Sequence, residues 1–351
     1  MTDPAARRTT PSGRRSTPDA QGAVPPTRDG RRPVRVLVLG GYGAVGRHAV
    51  AELRARGQQV RTAGRDAARA DVPLDLADTV AVARAAAAAD VVLNAAGRED
   101  PDLVRTVTAA GAGFVDISAS PRYLAAVERL DVATPVLLSV GLAPGLTNLL
   151  AHAAHRRGGG GTGPLDLAVV LGAGERHGPA ATAWSLDLLG RRLPDTAHPG
   201  REVRNYTGGT GFDLPGGRRR LLRADFSDQH TLTRQLGRPV RTWFGLDTRL
   251  ATLGLAALTW VPGARRTPPA LLHLPGSADW VLQVRDADGP WATMTGTSQS
   301  RTTGVLAARA AELAVGAAPG VHHLSALTDL DALDLPFRTS WRAAHPVDAH
   351  R

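Results

Sequence analysis

The sequence predicts an α/β protein in which a doubly wound parallel sheet is followed by a second, α+β domain. Runs of Val and Leu such as residues 34–39 are continuous instead of alternating with polar residues, which is typical of strands covered on both faces. Up to about residue 150 these runs alternate with helix-length segments, as in βαβ units. Beyond residue 151 the alternation stops, which indicates an antiparallel or mixed sheet.

The elements of the first part follow from local signals. A helix over 44–56 ends at Gly57, an alanine-rich stretch predicts a helix over 79–89, and Pro121 suits a helix N-terminus. Strands are predicted at 34–39, 58–62, 74–76, 91–94, 113–116 and 136–139, and the remaining helices at 102–110 and 121–130.

The second part has strands without helices regularly between them. Its predicted strands are 165–171, 218–223, 240–244, 280–284 and 291–295, and its helices are 180–189, 228–236, 248–258 and 302–315. We therefore assign residues 1–33 to a disordered basic tail, 34–150 to the parallel-sheet domain, 151–300 to an α+β substrate domain, and 336–351 to a C-terminal tail.

Composition excludes several classes of protein. The chain has no cysteine, and all 42 of its Lys and Arg residues are arginine. It therefore has no thiolate nucleophile, no Schiff-base or P-loop lysine, and no Tyr-x-x-x-Lys pair of the ordinary short-chain dehydrogenases.

Charge and hydropathy give expectations about partners and location. Part of the net charge of +10 lies in residues 1–33, which carry seven Arg and three Asp, and the rest is spread along the chain with little aromatic interleaving, so we expect no nucleic-acid partner. The basic tail lacks the apolar core of a signal peptide. The longest apolar run, 250–261, is too short to span a bilayer, so we expect a cytoplasmic protein with no membrane partner.

A glycine-rich turn follows the first strand and opens the first helix. It reads G-x-G-x-x-G over Gly41, Tyr42, Gly43, Ala44, Val45 and Gly46. In this context the motif predicts a dinucleotide-binding Rossmann domain. Gly41 would permit the tight turn, Gly43 would let backbone amides approach the pyrophosphate, and Gly46 would allow close packing of helix and strand.

The end of the second strand indicates which dinucleotide binds. Gly64 and Arg65 stand where NAD-specific sites usually carry an acid, and Arg65 could clamp a 2′-phosphate. Asp66 could instead turn inward and select NAD, so NADP is favoured and NAD is less favoured. At the end of the fourth strand, small residues let the chain pass over the cofactor; these are Asn94, Ala95, Ala96 and Gly97.

Residues 140–151, V-G-L-A-P-G-L-T-N-L-L-A, resemble the G-x-x-P-G-x-x-(T)-N-x-x-A segment of the saccharopine dehydrogenase-like family, which includes saccharopine reductases and carboxynorspermidine dehydrogenases. Residues 90–97, 114–118 and 296–307 fit the same pattern. The resemblance implies that Pro144, Gly145 and Asn148 lie near the nicotinamide. It also implies that residues 301–335 form a C-terminal helix that returns to the Rossmann domain.

Two departures from the family pattern leave the identity of the substrate undetermined. Family members often have Cys and Asp where this chain has Val140 and Ala143. Our leading hypothesis is an NADP(H)-dependent oxidoreductase that acts on an imine or amino-acid derivative, a small molecule bound in the interdomain cleft. The alternatives are an enoyl reductase for a lipid- or polyketide-like substrate and a non-catalytic NADP-binding sensor or regulator. A homodimer is possible.

Candidate catalytic residues follow from the need for one group that handles a proton. Asp116, Tyr123 and His177 are the candidates, and Arg122 or Arg176 could hold a substrate carboxylate. Each also has a structural reading: Asp116 as a turn cap, Tyr123 as a packing residue, and His177 as a surface histidine. Asp228 and His230 are further candidates.

The pair His322–His323 suggests a metal site. No other metal-ligating residues lie nearby at helical spacing, so we expect no metal.

Overall fold

The computed structural model describes residues 32–158, 162–175, 184–266, 276–333 and 335–342. Its first sheet has seven parallel strands: β1 (Arg35–Leu39), β2 (Gln59–Gly64), β3 (Val72–Pro73), β4 (Val91–Asn94), β5 (Gly113–Asp116), β6 (Pro135–Leu138) and β15 (Gly320–His323). Their order is β15-β6-β5-β4-β1-β2-β3. The predicted doubly wound sheet is therefore confirmed, and its strand order reverses direction between β1 and β4, where such sheets bind ligands.

Both faces of this sheet are covered, which explains the continuous apolar runs. Val36 and Val38 of β1 face one cluster of buried side chains, whereas Leu37 and Leu39 face another. The covering helices are α1 (Gly46–Ala55), α2 (Thr79–Ala87), α3 (Pro101–Ala109) and α4 (Pro121–Val127). The side chains of Asp78, Asp100 and Ser120 cap α2, α3 and α4, respectively.

The second domain contains a mixed seven-stranded sheet. Its strands are β7 (Leu165–Leu171), β10 (Gly209–Leu214), β11 (Gly217–Arg223), β12 (Val240–Leu246), β13 (Asp279–Asp286), β14 (Gly289–Thr297) and β16 (Arg338–Trp341), in the order β10-β11-β12-β7-β13-β14-β16. Only β12 and β7 pair in parallel. A separate hairpin pairs β8 (Arg192–Pro194) with β9 (Glu202–Arg204). The helices α5 (Leu146–Arg157), α6 (Ser227–Leu236) and α7 (Arg249–Leu258) complete the domain.

The chain then returns to the first domain through α8 (Gln299–Ala314), β15 and the short α9 (Leu324–Leu327). Helix α8 packs against α1 at Gly304, where a Cβ atom would lie 2.6 Å from His48 Cβ and 2.8 Å from Ala49 N. At the other end of α1, Arg56 forms an ion pair with Glu312 at 2.6 Å. No helix among the described residues is long and apolar enough to cross a membrane.

Several predicted boundaries differ from the structure. Residues 301–335 contain strand β15 as well as the returning helix, and residues 338–341 of the predicted C-terminal tail pair with β14 as β16. The short third strand lies at Val72–Pro73, before the predicted 74–76. Most of the tail 1–33 and the start of the helix predicted at 180–189 lie outside the described residues. The missed strands are short, and their partners are distant in sequence, so periodicity alone carries little signal.

Two helical glycines provide a matched test of the α1–α8 contact. Gly304→Ala places a methyl group against the α1 backbone, and we expect a loss of about 1–3 kcal/mol in the free energy of unfolding. Gly254→Ala, in α7, meets no atom within 4 Å and should be neutral or stabilising by up to about 1 kcal/mol. Chemical denaturation of both variants measures the difference; equal stability would contradict the close contact.

Candidate functional site

The glycine-rich turn leaves no room for side chains where its backbone approaches other parts of the chain. Gly40 has φ +71°, and Gly43 N–H donates to Gly40 O at 2.9 Å. A Cβ at Gly46 would lie 2.2 Å from Gly40 O. The left-handed residue of the turn is Gly40, which directly precedes the predicted G-x-G-x-x-G motif. Gly41 is needed because Thr62 Cγ2 lies 2.6 Å from where its Cβ would be.

The turn presents backbone donors at the N-terminus of α1. The helix begins at Gly46, two residues later than predicted. As a result, Ala44 and Val45 belong to the turn, and their N–H groups have no acceptor among the described residues. The first helical turn carries no acidic side chain. Free amides and the helix dipole together form a suitable site for a phosphate group.

Tyr42 covers the end of β2. Its ring packs on Gly64, where a Cβ would lie 2.4 Å from Tyr42 Oη. The Arg69 guanidinium lies 4.5 Å from the centre of the Tyr42 ring, and Arg69 also donates to Tyr42 O at 3.3 Å. Sequence reasoning missed Arg69, because the ring contact that holds it brings together residues 27 positions apart.

The two residues that follow Gly64 differ in whether their side chains are already hydrogen-bonded within the turn. Arg65 is exposed to solvent. Asp66 Oδ1 accepts a hydrogen bond from Ala68 N at 3.0 Å and so caps its own turn. One oxygen of the Asp66 carboxylate is thus engaged within its own turn, whereas Arg65 and Arg69 are both exposed arginines in the segment that follows β2.

Asp116 and Tyr123 are brought together, as parts of one buried network. Tyr123 Oη donates to Asp116 Oδ2 at 2.7 Å, Asn94 Nδ2 donates to the same oxygen at 3.0 Å, and Ser118 N donates to Oδ1 at 2.7 Å. Asn94 Oδ1 in turn accepts from Ala96 N at 3.2 Å. The polar groups of Asp116 and Tyr123 are thus hydrogen-bonded to protein partners. Asn94 links this network to the turn of residues 94–97 through its hydrogen bond with Ala96.

Burial is the largest cause of the pKa shifts in this network. Burial raises the pKa of Asp116, against the lowering effect of its three donors. Burial and the neighbouring Asp116 carboxylate raise the pKa of Tyr123. Burial, with a smaller contribution from Asp116, also raises the pKa of Glu99. A phenol with a raised pKa that is bonded to a buried carboxyl group is a poor proton donor to a ligand at neutral pH.

The loop of residues 139–145 between β6 and α5, which we call the Pro-Gly loop after Pro144 and Gly145, is anchored on both sides. Gly145 has φ +136°, and its N–H donates to Asn148 Oδ1 at 2.9 Å. Leu142 N donates to Thr303 Oγ1 of α8 at 3.2 Å. Asn148 is fully buried, and its Nδ2 has no partner among the described residues. The loop that follows β6 is therefore fixed to the same helix that packs on α1.

Buried polar atoms collect where α5 and α6 begin. Asp228 is fully buried; its Oδ1 accepts from Thr242 Oγ1 at 2.8 Å, and burial raises its pKa. The hydrogen bond from the Thr242 hydroxyl acts in the opposite direction on this pKa. Asp228 Oδ2 and the hydroxyl oxygens of Thr147 and Ser227 have no partner in the part of the chain that the structure describes. These unpartnered atoms lie at the starts of α5 and α6, two helices that pack against each other.

The remaining predicted substrate-binding and catalytic residues lie partly within and partly outside the described residues. Arg122 is exposed on α4. Arg176 and His177 lie outside the described residues. The preceding Glu175 accepts hydrogen bonds from Gln299 N at 2.6 Å and Ser300 N at 2.9 Å, which joins the loop after β7 to the N-terminus of α8. His230, the other candidate, lies with its Nε2 2.6 Å from Asp225 Oδ1.

His323 contacts hydrogen-bonding partners from two other elements. Its Nδ1 lies 2.9 Å from Ser139 Oγ at the end of β6, and its Nε2 lies 3.0 Å from Glu128 Oε1 after α4. Arg234 of α6 donates to the same carboxylate at 2.7 Å. Hydrogen bonds to His323 and the charge of Arg234 lower the pKa of Glu128. No group of three metal-ligating side chains occurs among the described residues.

Comparisons with known proteins agree with this architecture. Residues 36–134 match the NAD dependent epimerase/dehydratase family. Apo saccharopine dehydrogenase (L-Glu forming) from Saccharomyces cerevisiae is similar in structure, with a TM-score of 0.55 and 16% identity, over 83% of this chain and 94% of that one. The C. glutamicum DAP dehydrogenase in complex with DAP has a TM-score of 0.46 and 15% identity, over 86% and 96% of the two chains. No curated protein matches the chain in sequence. The chain therefore has a Rossmann domain and a second domain arranged as in the yeast saccharopine dehydrogenase, as the sequence resemblance predicts.

Replacing the Tyr123 hydroxyl tests whether it supports the structure or the chemistry. Tyr123→Phe removes one donor from the buried Asp116, and we expect a loss of about 1–3 kcal/mol in stability. Tyr206→Phe is the matched control, because that buried tyrosine donates to a neutral carbonyl at 3.3 Å and should lose less. Urea titration compares the two variants. Unchanged stability of Tyr123→Phe, with turnover abolished, would instead support a catalytic role.

The Glu128 contacts predict a pH dependence of stability. Because its folded pKa lies below the ordinary value of 4.5, Glu128 stabilises the fold above that value and loses this effect as the pH falls through the folded pKa. Glu128→Gln should therefore be less stable than the wild type near neutral pH, and the difference should shrink in acid. Glu202→Gln, which removes an exposed surface pair, should show little difference at any pH. Denaturation across this pH range measures both, and a difference independent of pH would contradict the assignment.

Proposed function

We propose that this protein is an NADP(H)-dependent oxidoreductase that transfers hydride between the nicotinamide and an imine or amino-acid-type substrate bound between the two domains. The observation that carries the proposal is the pairing of two features at one edge of the first sheet. These are the amides at the N-terminus of α1 and the guanidinium groups at the end of β2. The first suits a pyrophosphate and the second suits a 2′-phosphate.

The residues of this edge fit a dinucleotide. The N–H groups of Ala44 and Val45 would receive the pyrophosphate, and Gly43 keeps that approach free of side chains. The turn of residues 94–97 would pass over the nicotinamide side, held there by the buried Asp116 and Tyr123. When bound, the nicotinamide supplies or accepts the hydride.

Preference for NADP rests on Arg65 and Arg69. Arg69 is ordered by the Tyr42 ring, and Arg65 is exposed beside it, so both are available to a phosphate. Asp66, the residue that would favour NAD, has its carboxylate bonded to Ala68 N. A doubly charged phosphate between two guanidinium groups would gain charge-assisted hydrogen bonds that NAD lacks.

We propose that side chains other than those of Asp116 and Tyr123 bind the substrate and handle its proton. Arg122 is exposed at the start of α4 and would hold a substrate carboxylate. Asp228 is buried at the start of α6, one of its carboxylate oxygens has no partner among the described residues, and it is a candidate for handling the proton. Arg176 and His177 remain sequence-based predictions for the same cleft.

A second candidate is enoyl reduction of a lipid- or polyketide-like substrate. The observation in its favour is the apolar character of the loop after β6, where Val140 and Leu142 are buried and Ala143 replaces an acid. A screen for substrate-dependent NADPH oxidation separates the candidates. Turnover with keto acids plus amines supports the first, and turnover with enoyl thioesters alone supports the second. Tight NADPH binding without turnover on either class would favour a sensor.

Cofactor choice can be tested with single arginine variants. We expect Arg65→Ala and Arg69→Ala each to weaken NADPH binding by on the order of tenfold or more, with little effect on NADH. Arg105→Ala, an exposed arginine on α3 paired with Asp102, is the matched control and should change neither. Fluorescence titration with both nucleotides measures the affinities.

Two outcomes would contradict the cofactor assignment. Equal losses for NADPH and NADH in the arginine variants would show that these side chains do not read the 2′-phosphate. Gly43→Asp introduces bulk and negative charge at the turn, so it should abolish binding of both nucleotides. Unchanged affinity in that variant would remove the pyrophosphate site itself.

A further inference from the structure

Helix α7 carries an apolar face that no other part of the described structure covers. Leu250 is 82% exposed, Leu253 is 60% exposed, and beyond the helix Trp260 and Val261 are 65% and 53% exposed. The exposed positions recur at helical spacing, whereas the opposite side of the helix, with Thr252, packs on the second domain. Exposed apolar patches of this kind usually mark an interaction surface.

Positive charge borders this face. Residues 249–266 contain three arginines and no acidic residue. Arg204 places its guanidinium 4.4 Å from the centre of a Trp260 ring, next to the apolar face. Arg265 and Arg266 follow on the short helix that comes after α7. The surface therefore combines Trp and Leu side chains with arginine, and its own segment 249–266 carries no acidic residue.

A cavity of about 410 Å³ lies beside the exposed face. Three arginines line it, namely Arg204, Arg265 and Arg266, together with the apolar Leu258 and Val261. Arg265 is held in place by a hydrogen bond from its Nε to Leu189 O at 2.6 Å. A pocket with guanidinium groups beside apolar side chains suits a ligand with an anionic head and an apolar tail.

We infer that the α7 face, defined as Leu250, Leu253, Trp260, Val261 and the adjoining arginine-lined cavity, docks on an anionic lipid surface. Apolar side chains with Trp at the boundary and arginine at the rim are the composition of a helix that lies in the plane of a membrane interface. A lipid phosphate would occupy the cavity, and the leucines would enter the acyl region. This inference revises the expectation of no membrane partner, which rested on the length needed to span a bilayer.

A second copy of the chain suits the surface less well. A two-fold contact would bring two arginine-bordered faces together, and the segment 249–266 offers no acidic residue to pair with them. Helix α7 has ten residues, so its exposed face is roughly 15 Å long, and the area is small beside the ~800 Å² that each partner buries in a stable complex. An anionic lipid surface attracts the arginines and receives the apolar side chains. It requires neither the contact between like charges nor the large buried area of a stable dimer.

The inference is tested by co-sedimentation of the full chain, without nucleotide, with two kinds of vesicle. We expect binding to equal parts of phosphatidylglycerol and phosphatidylcholine, and none to phosphatidylcholine alone. The double variants Leu250→Ser/Leu253→Ser and Arg265→Gln/Arg266→Gln should each lose on the order of tenfold or more in affinity. Val80→Ser/Val315→Ser, at exposed apolar positions elsewhere, is the matched control and should bind normally.

A spectroscopic readout locates the contact. Tryptophan emission of the wild type should shift to shorter wavelength with anionic vesicles, and Trp260→Phe should lose this shift. All variants keep the arginine-containing N-terminal residues, so any contribution of those residues is constant. Absence of binding to anionic vesicles, or unchanged binding in both double variants, would overturn the inference. A dimer in sedimentation velocity that Leu253→Ser dissociates would also overturn it, in favour of a second copy.

Discussion

Close backbone contact is the constraint on which the first domain depends. A side chain at Gly46 would overlap Gly40 O, and a side chain at Gly304 would overlap the start of α1. These contacts seat α1 against both the glycine-rich turn and α8, so the N-terminus of α1 has one position relative to the sheet. The amide groups available to a phosphate are placed by this packing, since no side chain caps the helix.

Polar contacts extend this fixed geometry to the second domain. Glu175 joins the loop after β7 to the N-terminus of α8, and Thr303 joins α8 to the loop after β6. Farther along the sheet, Glu128 accepts from Arg234 of α6 and contacts His323 of β15. The Rossmann sheet, the returning helix and the second domain are therefore connected at several separate points, which suits a site that is shared between domains.

The proposed activity and the proposed membrane contact rest on different residues and are independent. The cofactor assignment depends on the turn after β1 and the arginines after β2, whereas the lipid assignment depends on α7 and its cavity. Arginine is the cation in both places, because the chain has no lysine. Its planar guanidinium group can stack on Tyr42 in one site and on Trp260 in the other while keeping donors free for phosphate.

The sequence by itself determined the parallel sheet, the glycine-rich turn and the resemblance to saccharopine dehydrogenases, because buried strands and glycine-dependent turns leave local signals. Tertiary structure decided what distant residues do for one another. It showed Gly40 to be the left-handed residue, engaged Asp116 with Tyr123 and Asn94, placed Arg69 on Tyr42, and added β15 and β16 to sheets whose other strands lie far away in sequence. Such pairings arise when the chain packs, and they have no period or spacing that a single segment could reveal.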